Sequence, residues 1–173
     1  MTSIGQRVFL IEVLSAASSA ESIEAARNLL LEYGRFVLAA EGPARFCFGK
    51  LEDEAKGLPG TYAAKGGEML LAWAESVAAG CVTFRALAGI AGGCEMKRLW
   101  TRSAFRGTGL GERLTAEVLE RASLAGFKAV YLDTIPETMG PAYRIYQRLG
   151  FLECEPFHES ATTGMVFMRR SLA

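Results

Sequence analysis

The stretch Arg106-Gly107-Thr108-Gly109-Leu110-Gly111 lies between a predicted strand that ends near residue 101 and a predicted helix that begins near residue 109. Its three glycines stand at alternate positions, so several backbone N–H groups can converge on one anion at the positive end of the helix. Arg106 adds a permanently charged, fork-shaped donor, and Arg102 lies close enough in sequence to assist it. The pattern predicts a phosphate-binding loop.

Two other phosphate-binding patterns fit this stretch badly. A mononucleotide P-loop needs a lysine directly after its last glycine, and the Rossmann fingerprint is G-x-G-x-x-G with an acidic residue about 20 positions later. The spacing here is G-x-G-x-G, and no lysine follows. A glycine-rich turn that only lets a helix and a strand approach each other is the structural alternative.

The 173 residues are half apolar and 22% charged, with 19 basic and 19 acidic side chains and a formal charge of zero. This composition indicates a single domain over residues 1–173, and the balance of charge argues against nucleic acid or a membrane surface as a partner. The four cysteines form no CxxC pair and His158 is the single histidine, so we expect free thiols, no metal and a cytoplasmic location. The high apolar fraction leaves room for a homodimer interface.

Hydrophobic periodicity predicts an α/β (α+β) domain around a mixed sheet. The predicted elements are a strand at 8–14, a helix capped by Ser18 that ends near Gly42, a short helix between loops within 43–67, strands at 69–74, 79–87 and 94–101, a helix from 109 to 126, a strand at 127–133, a helix at 141–149, and strands at 151–157 and 165–170. The three central strands are spaced for an antiparallel meander. The order is strand, two helices, three strands, helix, strand, helix, two strands.

Residues 106–111 resemble the [QR]-x-x-G-x-[GA] pyrophosphate loop of the GNAT superfamily of N-acetyltransferases. Residues 142–151, AYRIYQRLGF, resemble the family's A-x-x-[LIF]-Y-x-x-x-G-F helix and strand, and residues 94–101 resemble the strand before its loop. Together these matches span about residues 79 to 157. The resemblance implies the family's fold, a mixed and mostly antiparallel sheet of about seven strands flanked by helices.

The resemblance also implies an enzyme that moves an acetyl group from acetyl-coenzyme A to an amine by direct attack. The pyrophosphate would lie on the amides of residues 107–111, and the pantetheine arm would lie along strand 94–101, with an N–H near Leu99 polarising the thioester carbonyl. The implied coenzyme contacts are Leu99, Trp100, Thr101, Arg106, Gly107, Thr108, Gly109, Leu110, Gly111, Tyr143 and Tyr146. The acceptor is open: a small amine, an amino acid, an antibiotic or a protein terminus, in a pocket shaped by residues 43–67 and 156–164.

Tyr146 and Glu95 are the candidate catalytic residues. Tyr146 matches the family tyrosine near the coenzyme sulfur; since a tyrosine has a pKa of about 10 and a thiol about 8.5, hydrogen-bond donation is favoured over full proton transfer. Glu95 could take the proton of the amine, directly or through a water. The alternative for Glu95 is a carboxylate that is solvated or paired with Lys97, two residues away on the same face.

Three further positions bear on the site. Met139 stands where many family members have an asparagine, and its side chain cannot make the hydrogen bonds of an amide; Thr138 or Gly140 is left to cap the helix. His158 lies in a loop that often borders the acceptor pocket in this family, although a free surface histidine is the favoured interpretation. The acidic stretch 52–54 could attract a cationic amine, but a solvated helix face is the favoured interpretation.

Two rival functions remain open from the sequence. A non-catalytic acyl-coenzyme A sensor or interaction module could use the same fold, because a fold does not guarantee chemistry. An unrelated nucleotide-binding protein could use the glycine loop, and it would be stabilised by ATP or NAD but not by coenzyme A.

Overall fold

The computed structural model describes residues 8–46, 48–160 and 162–172. In chain order the elements are β1 (Leu10–Val13), α1 (Ala20–Glu41), α2 (Phe48–Lys56), α3 (Gly60–Ala63), β2 (Glu68–Ala74), β3 (Val77–Ala86), β4 (Gly93–Thr101), α4 (Leu110–Leu124), β5 (Ala129–Thr134), α5 (Gly140–Arg148), β6 (Leu152–Glu153) and β7 (Val166–Ser171). The predicted order is confirmed, with one extra short helix, α3, before the meander.

The strands of the described residues form one seven-stranded sheet in the order β1-β2-β3-β4-β5-β7-β6. Strands β2 to β4 pair antiparallel as predicted, β1 pairs antiparallel with β2, and β7 pairs antiparallel with both β5 and β6. β4 and β5 are parallel neighbours. The predicted mixed, mostly antiparallel sheet is therefore confirmed.

The parallel strands β4 and β5 separate after a short contact. Gly93 to Glu95 pair with Ala129 to Tyr131, and within the described residues no further β4–β5 pairs follow. β4 runs on to Thr101 and β5 to Thr134, so each strand keeps an edge that faces the other across a gap. The gap opens towards the C-terminal ends of both strands.

A hydrophobic cluster packs on each face of the sheet. On one face, α4 and α5 cover Leu70, Val82 and Val130. On the other face, α1 to α3 cover Leu71 and Cys81. The alternation of neighbouring residues between the two clusters is the period of a strand that is buried on both faces.

Three local predictions need correction. Ser19, not Ser18, is the N-cap of α1, and its hydroxyl accepts from the N–H of Ser22 at 3.0 Å. The strand predicted at 151–157 is only Leu152–Glu153, because Pro156 has no N–H with which to continue the ladder. In the acidic stretch 52–54 only the first two side chains are exposed, whereas Glu54 is ion-paired with Arg98.

Among the described helices, none combines the length and the apolar character that a transmembrane span requires.

Candidate active site

A cavity of about 680 Å³ fills the gap between β4 and β5. Its walls are β4, the loop at residues 105–112, α5 and one face of α1. Nine of the eleven residues expected to contact the coenzyme line it: Leu99, Trp100, Thr101, Arg106, Gly107, Gly109, Leu110, Gly111 and Tyr146. The gap is thus open space, and the predicted residues meet around it.

The other two expected contacts, Thr108 and Tyr143, are not among the described residues of the cavity wall. The Thr108 hydroxyl donates to the carbonyl of Phe105 at 2.6 Å, which tightens the turn before α4. The Tyr143 hydroxyl is exposed and donates to Glu153 at 2.7 Å. Both side chains act in local structure.

The loop after β4 presents free backbone donors. Gly109 is the N-cap of α4, and the first bond into the helix runs from the N–H of Arg113 to the Gly109 carbonyl at 3.0 Å. Within the described part of the chain, the N–H groups of residues 107–112 donate no backbone hydrogen bond. Since these groups lie at the positive end of a 15-residue helix, they suit an anion.

Glycine is favoured at the three positions of the loop for two different physical reasons. Gly107 and Gly109 have φ of +74° and +83°, and a Cβ on either would project into open space. A side chain there would be strained by the positive φ, so the loop conformation that leaves the amides free favours glycine at both positions. A Cβ on Gly111 would lie 3.0 Å from Cδ1 of Ile145, so this glycine lets α4 and α5 approach. The structural alternative for the loop applies to Gly111, and the anion-binding prediction to the other two.

Arg106 and Arg102 have different partners, although the sequence suggested phosphate binding for both. Arg106 is exposed at the cavity mouth, where its Nε donates to the Thr101 carbonyl at 3.1 Å and its guanidinium lies 5.0 Å from the centre of the Trp100 ring. Arg102 instead forms several hydrogen bonds to Glu32, the shortest 2.7 Å, and donates to the Ala78 carbonyl at 2.8 Å. The expectation that Arg102 assists with phosphate is wrong, because its donors fasten α1 to the sheet.

The exposed edge of β4 is shaped by a bulge at Arg98. Its φ is +60°, and the register with β3 shifts between Cys81 and Thr83. The Thr83 hydroxyl donates to the Lys97 carbonyl at 3.0 Å, which holds the bulge on the β3 side. The N–H of Arg102 also bonds to β3, so the alternating pattern turns the peptide groups of Thr101 towards the gap.

Tyr146 lies at the inner end of the cavity and is 6% exposed. Among the described residues its hydroxyl has no hydrogen-bond partner, and burial raises the pKa of this phenol. It is therefore a neutral donor over the whole physiological range. The geometry keeps that donor available to a group in the cavity.

Glu95 is buried beside the cavity without lining it. Its carboxylate accepts hydrogen bonds from Arg85 at 3.2 Å and from Lys97 at 2.9 Å. The pairing with Lys97 is the alternative that the sequence left open. With a cation on each oxygen, Glu95 is poorly placed to receive a proton from an amine.

A second cavity, of about 740 Å³, adjoins the first at β4 and β5. Both predicted pocket-shaping segments contribute to it, for example through Lys50 and Lys65 from 43–67 and His158 from 156–164. The two cavities share five wall residues, Tyr33, Lys97, Arg98, Asp133 and Met139. They therefore meet at the divergence of the two strands.

Asp133 and His158 form a pair at this meeting point that the sequence did not reveal. The His158 Nε2 lies 2.8 Å from Asp133 Oδ2, and Nδ1 lies 3.0 Å from the Glu159 carbonyl. Partial burial opposes protonation, but these two acceptors outweigh it and raise the pKa of His158. Since both partners only accept, the geometry suits an imidazolium. His158 is thus not the free surface histidine that was favoured.

Glu95, Asp133 and His158 bring one possible metal-ligand atom each within 4.8 Å of one another. Arg85 and Lys97 already neutralise Glu95, and their positive charges oppose a cation at this point. The arrangement suits proton handling better than metal binding.

A sheet that opens between two parallel strands, with free amides at the adjacent helix end, places the chain among the acyltransferases. Residues 24–151 match the sequence model described as "Acetyltransferase (GNAT) family". An uncharacterised N-acetyltransferase of Schizosaccharomyces pombe is 35% identical over 127 residues, which are 73% of this chain and 77% of the relative. The chain therefore belongs to the GNAT family of acetyltransferases.

Solved structures agree with this fold. A GNAT-family acetyltransferase of Staphylococcus aureus superposes with a TM-score of 0.74 at 17% identity, covering 96% of this chain and all of that one. A putative acetyltransferase of Salmonella typhimurium, solved with its cofactor acetyl-CoA, has a TM-score of 0.66 at 16% identity and covers 95% of this chain and 94% of its own.

Proposed function

We propose that this chain is a single-domain N-acetyltransferase that transfers an acetyl group from acetyl-coenzyme A to an amine within a ternary complex. The observation that carries the proposal is the meeting of two cavities at Asp133, one bordered by free amides and the other by polar side chains. The acetyl-CoA bound to the Salmonella typhimurium neighbour supports the choice of donor.

The described residues fit a diphosphate and an extended amide chain. The amides of residues 107–112 and the Arg106 guanidinium would hold the diphosphate, because both supply donors at the mouth of the first cavity. The open edge of β4 at Leu99 and Thr101 would pair with the pantetheine amides as a further strand would. No side chain of the described residues fills the gap between the strands.

The chemistry is an aminolysis in which a C–N bond forms, the thioester C–S bond breaks, and the amine loses a proton. A backbone N–H near Leu99 would stabilise the developing oxyanion, an interaction worth about 3 kcal/mol in other acyl-transfer enzymes. The carboxylate of Asp133 would receive the proton of the amine, and its partner His158 would hold its orientation. The amine proton would pass to Oδ1 of Asp133, since Oδ2 is bonded to His158, and the thiolate, which leaves with the electron pair of the C–S bond, would take a proton from solvent.

Tyr146 would stabilise the departing thiolate by donating a hydrogen bond. With ordinary pKa values, full transfer from a tyrosine to a thiolate is uphill by about 2 kcal/mol. Burial raises the pKa of Tyr146 further and so opposes complete transfer. A shared hydrogen bond needs no change in the charge of the phenol.

The first test is binding of the donor, followed by release of thiol. Coenzyme A is expected to raise the melting temperature, whereas ATP and NAD are not. Gly109→Ala should lose this shift, because a Cβ at φ of +83° is strained and its relief would move the loop that presents the amides. Gly89→Ala is the matched control, since Gly89 also has a positive φ, +82°, and an open surrounding, in the turn between β3 and β4.

The second test separates catalysis from simple binding. Free thiol should appear when acetyl-coenzyme A and a suitable amine are both present. Stabilisation by coenzyme A without thiol release from any amine of a broad library would instead indicate the non-catalytic sensor. Equal shifts in both glycine variants would remove the support for the loop. The cytoplasmic location, a homodimer and the lack of a metal remain predictions from the sequence.

A further inference from the structure

The second cavity is bordered by more basic than acidic side chains. Among the described residues its cationic side chains are Arg45, Lys50, Lys65, Arg85, Lys97, Arg98 and, when protonated, His158, contributed by separate segments of the chain. Its carboxylates are Glu41, Asp53, Glu54 and Asp133. A ligand that fills this space meets a surface with an excess of positive charge.

Most of these charges are already paired. Glu54 binds Arg98 at 3.0 Å. Glu95, which lies behind the wall, binds both Arg85 and Lys97. These three cations share two largely buried carboxylates, so one positive charge of this group is not offset.

Two ammonium groups at the rim are left over. Arg45 lies 3.4 Å from Glu41. Lys50 on α2 and Lys65 in the turn after α3 are exposed, and neither has a carboxylate within 4.0 Å among the residues that the structure describes. These two positive charges face the cavity without an anion.

At the inner end of the cavity, Asp133 provides a carboxylate instead of an ammonium group. Within the described residues it has no arginine or lysine partner, and its contact is the imidazole of His158. The wall also has apolar side chains, including Val37, Phe46 and Met165. The cavity thus has at its reacting end a carboxylate whose charged partner among the described residues is His158, and at its rim two ammonium groups without a counter-charge.

We propose that the acceptor is a primary amine that carries a separate carboxylate, as an amino acid or a short peptide does. This inference rests on the proposed function. The amine would lie at Asp133 and the carboxylate at Lys50 and Lys65, while the hydrocarbon part contacts the apolar wall. A polyamine is disfavoured, because its second ammonium would face the same lysines. A cavity of about 740 Å³ has room for such a molecule.

Matched acceptor pairs test the charge directly. Thiol release is measured with leucine against leucinamide, glutamate against glutamine, and γ-aminobutyrate against its amide, with spermidine as the polycationic probe. We expect a higher kcat/KM for the member that carries the extra carboxylate. Preferential acetylation of the amides or of spermidine overturns the inference and leaves the proposed acetyltransferase activity intact.

Variants of Lys50 and Lys65 test whether these side chains bind the carboxylate of the acceptor. Lys50→Gln and Lys65→Gln should each raise KM for the carboxylate acceptor about threefold, and together about tenfold, as expected for partly exposed ion pairs. KM for the matched amide and kcat should stay unchanged, and the arginine variants should restore binding. Lys56→Gln is the control on the same helix, since Lys56 is exposed and lies outside the described wall. An equal change of KM for acid and amide contradicts the assignment.

A binding measurement covers the case in which no probe releases thiol. The same pairs are then titrated calorimetrically into the coenzyme A complex of the wild-type protein. Tighter binding of the carboxylate member, weakened in the double lysine variant, supports the inference. Equal binding of both members, or no binding of any carboxylate probe, overturns it. Failure of catalysis and failure of the charge assignment are thus read from different measurements.

Discussion

Glu54 on α2 and Arg98 at the bulge of β4 form a bidentate ion pair, with Nε to Oε2 at 3.1 Å and Nη2 to Oε1 at 3.0 Å. The Tyr62 hydroxyl donates to the same Oε2 at 2.8 Å. Burial alone would raise the pKa of Glu54, but these donors outweigh it and lower the pKa below its ordinary value. The pair connects a wall of the second cavity to the strand edge that faces the first.

Glu54→Gln should therefore damage both the fold and the bulge. Loss of one partner leaves the Arg98 guanidinium buried without its counter-charge, which costs about 3 kcal/mol in comparable pairs. We expect a lower urea midpoint and, in the folded fraction, a lower kcat. Asp53→Asn is the control on the same helix, because the Asp53 side chain is 80% exposed. Equal stability of the two variants would show that the pair contributes nothing.

Tyr146→Phe should lower kcat by about 10-fold to 100-fold, the range for loss of a hydrogen bond to a charged group, with little change in coenzyme A affinity. Tyr143→Phe is a matched control one turn away on α5, since its hydroxyl bonds to Glu153 outside the cavity. Steady-state kinetics and calorimetry of both variants make the comparison. Wild-type turnover of Tyr146→Phe would remove this side chain from the chemistry.

The local patterns of the sequence predict well which residues line the first cavity. Residues 106–111 and 142–151 are continuous segments, so their spacing alone places the glycines at the helix end and Tyr146 on the inner face of α5. The bulge could not be predicted, because the register shift at Arg98 depends on which β3 residues face it. Asp133 lies in a predicted strand but gains its role from a loop 25 residues later.

The predicted roles of Arg102 and Glu95 differ from the observed contacts for the same physical reason. Arg102 and Arg106 are equivalent in sequence terms, and only the position of Glu32 on α1 decides that Arg102 is consumed by an ion pair. Glu95 was expected at the site because of its strand position, yet Arg85 on the neighbouring strand occupies it. Long-range partners of charged side chains leave no periodic signal in the chain.

Asp133→Asn should lower kcat/KM by about 100-fold, the smaller end of the range for loss of a general base, and leave coenzyme A binding unchanged. The amide keeps the volume of the side chain, so a loss of activity reports the missing proton acceptor. Glu95→Gln provides the contrast: with Arg85 and Lys97 left without their carboxylate, it should lower stability more than turnover of the folded enzyme. If Glu95→Gln loses turnover while Asp133→Asn retains it, the roles assigned to the two carboxylates are reversed.

His158 should show a pKa above its ordinary value of about 6.5. A group whose pKa is raised by folding stabilises the protein below its unfolded pKa, and this stabilisation is lost as pH rises through the folded pKa. The difference in unfolding free energy between wild type and His158→Asn should therefore be largest below about pH 6.5 and shrink at higher pH. Solvent screening should keep this difference under about 1 kcal/mol. Because the chain has a single histidine, NMR titration of the ring reads the pKa directly. Asp133→Asn should move that pKa back towards its ordinary value. A wild-type pKa that is not raised would contradict the pairing of His158 with Asp133, on which the proposed proton path depends. A pKa that stays raised in Asp133→Asn would contradict it as well.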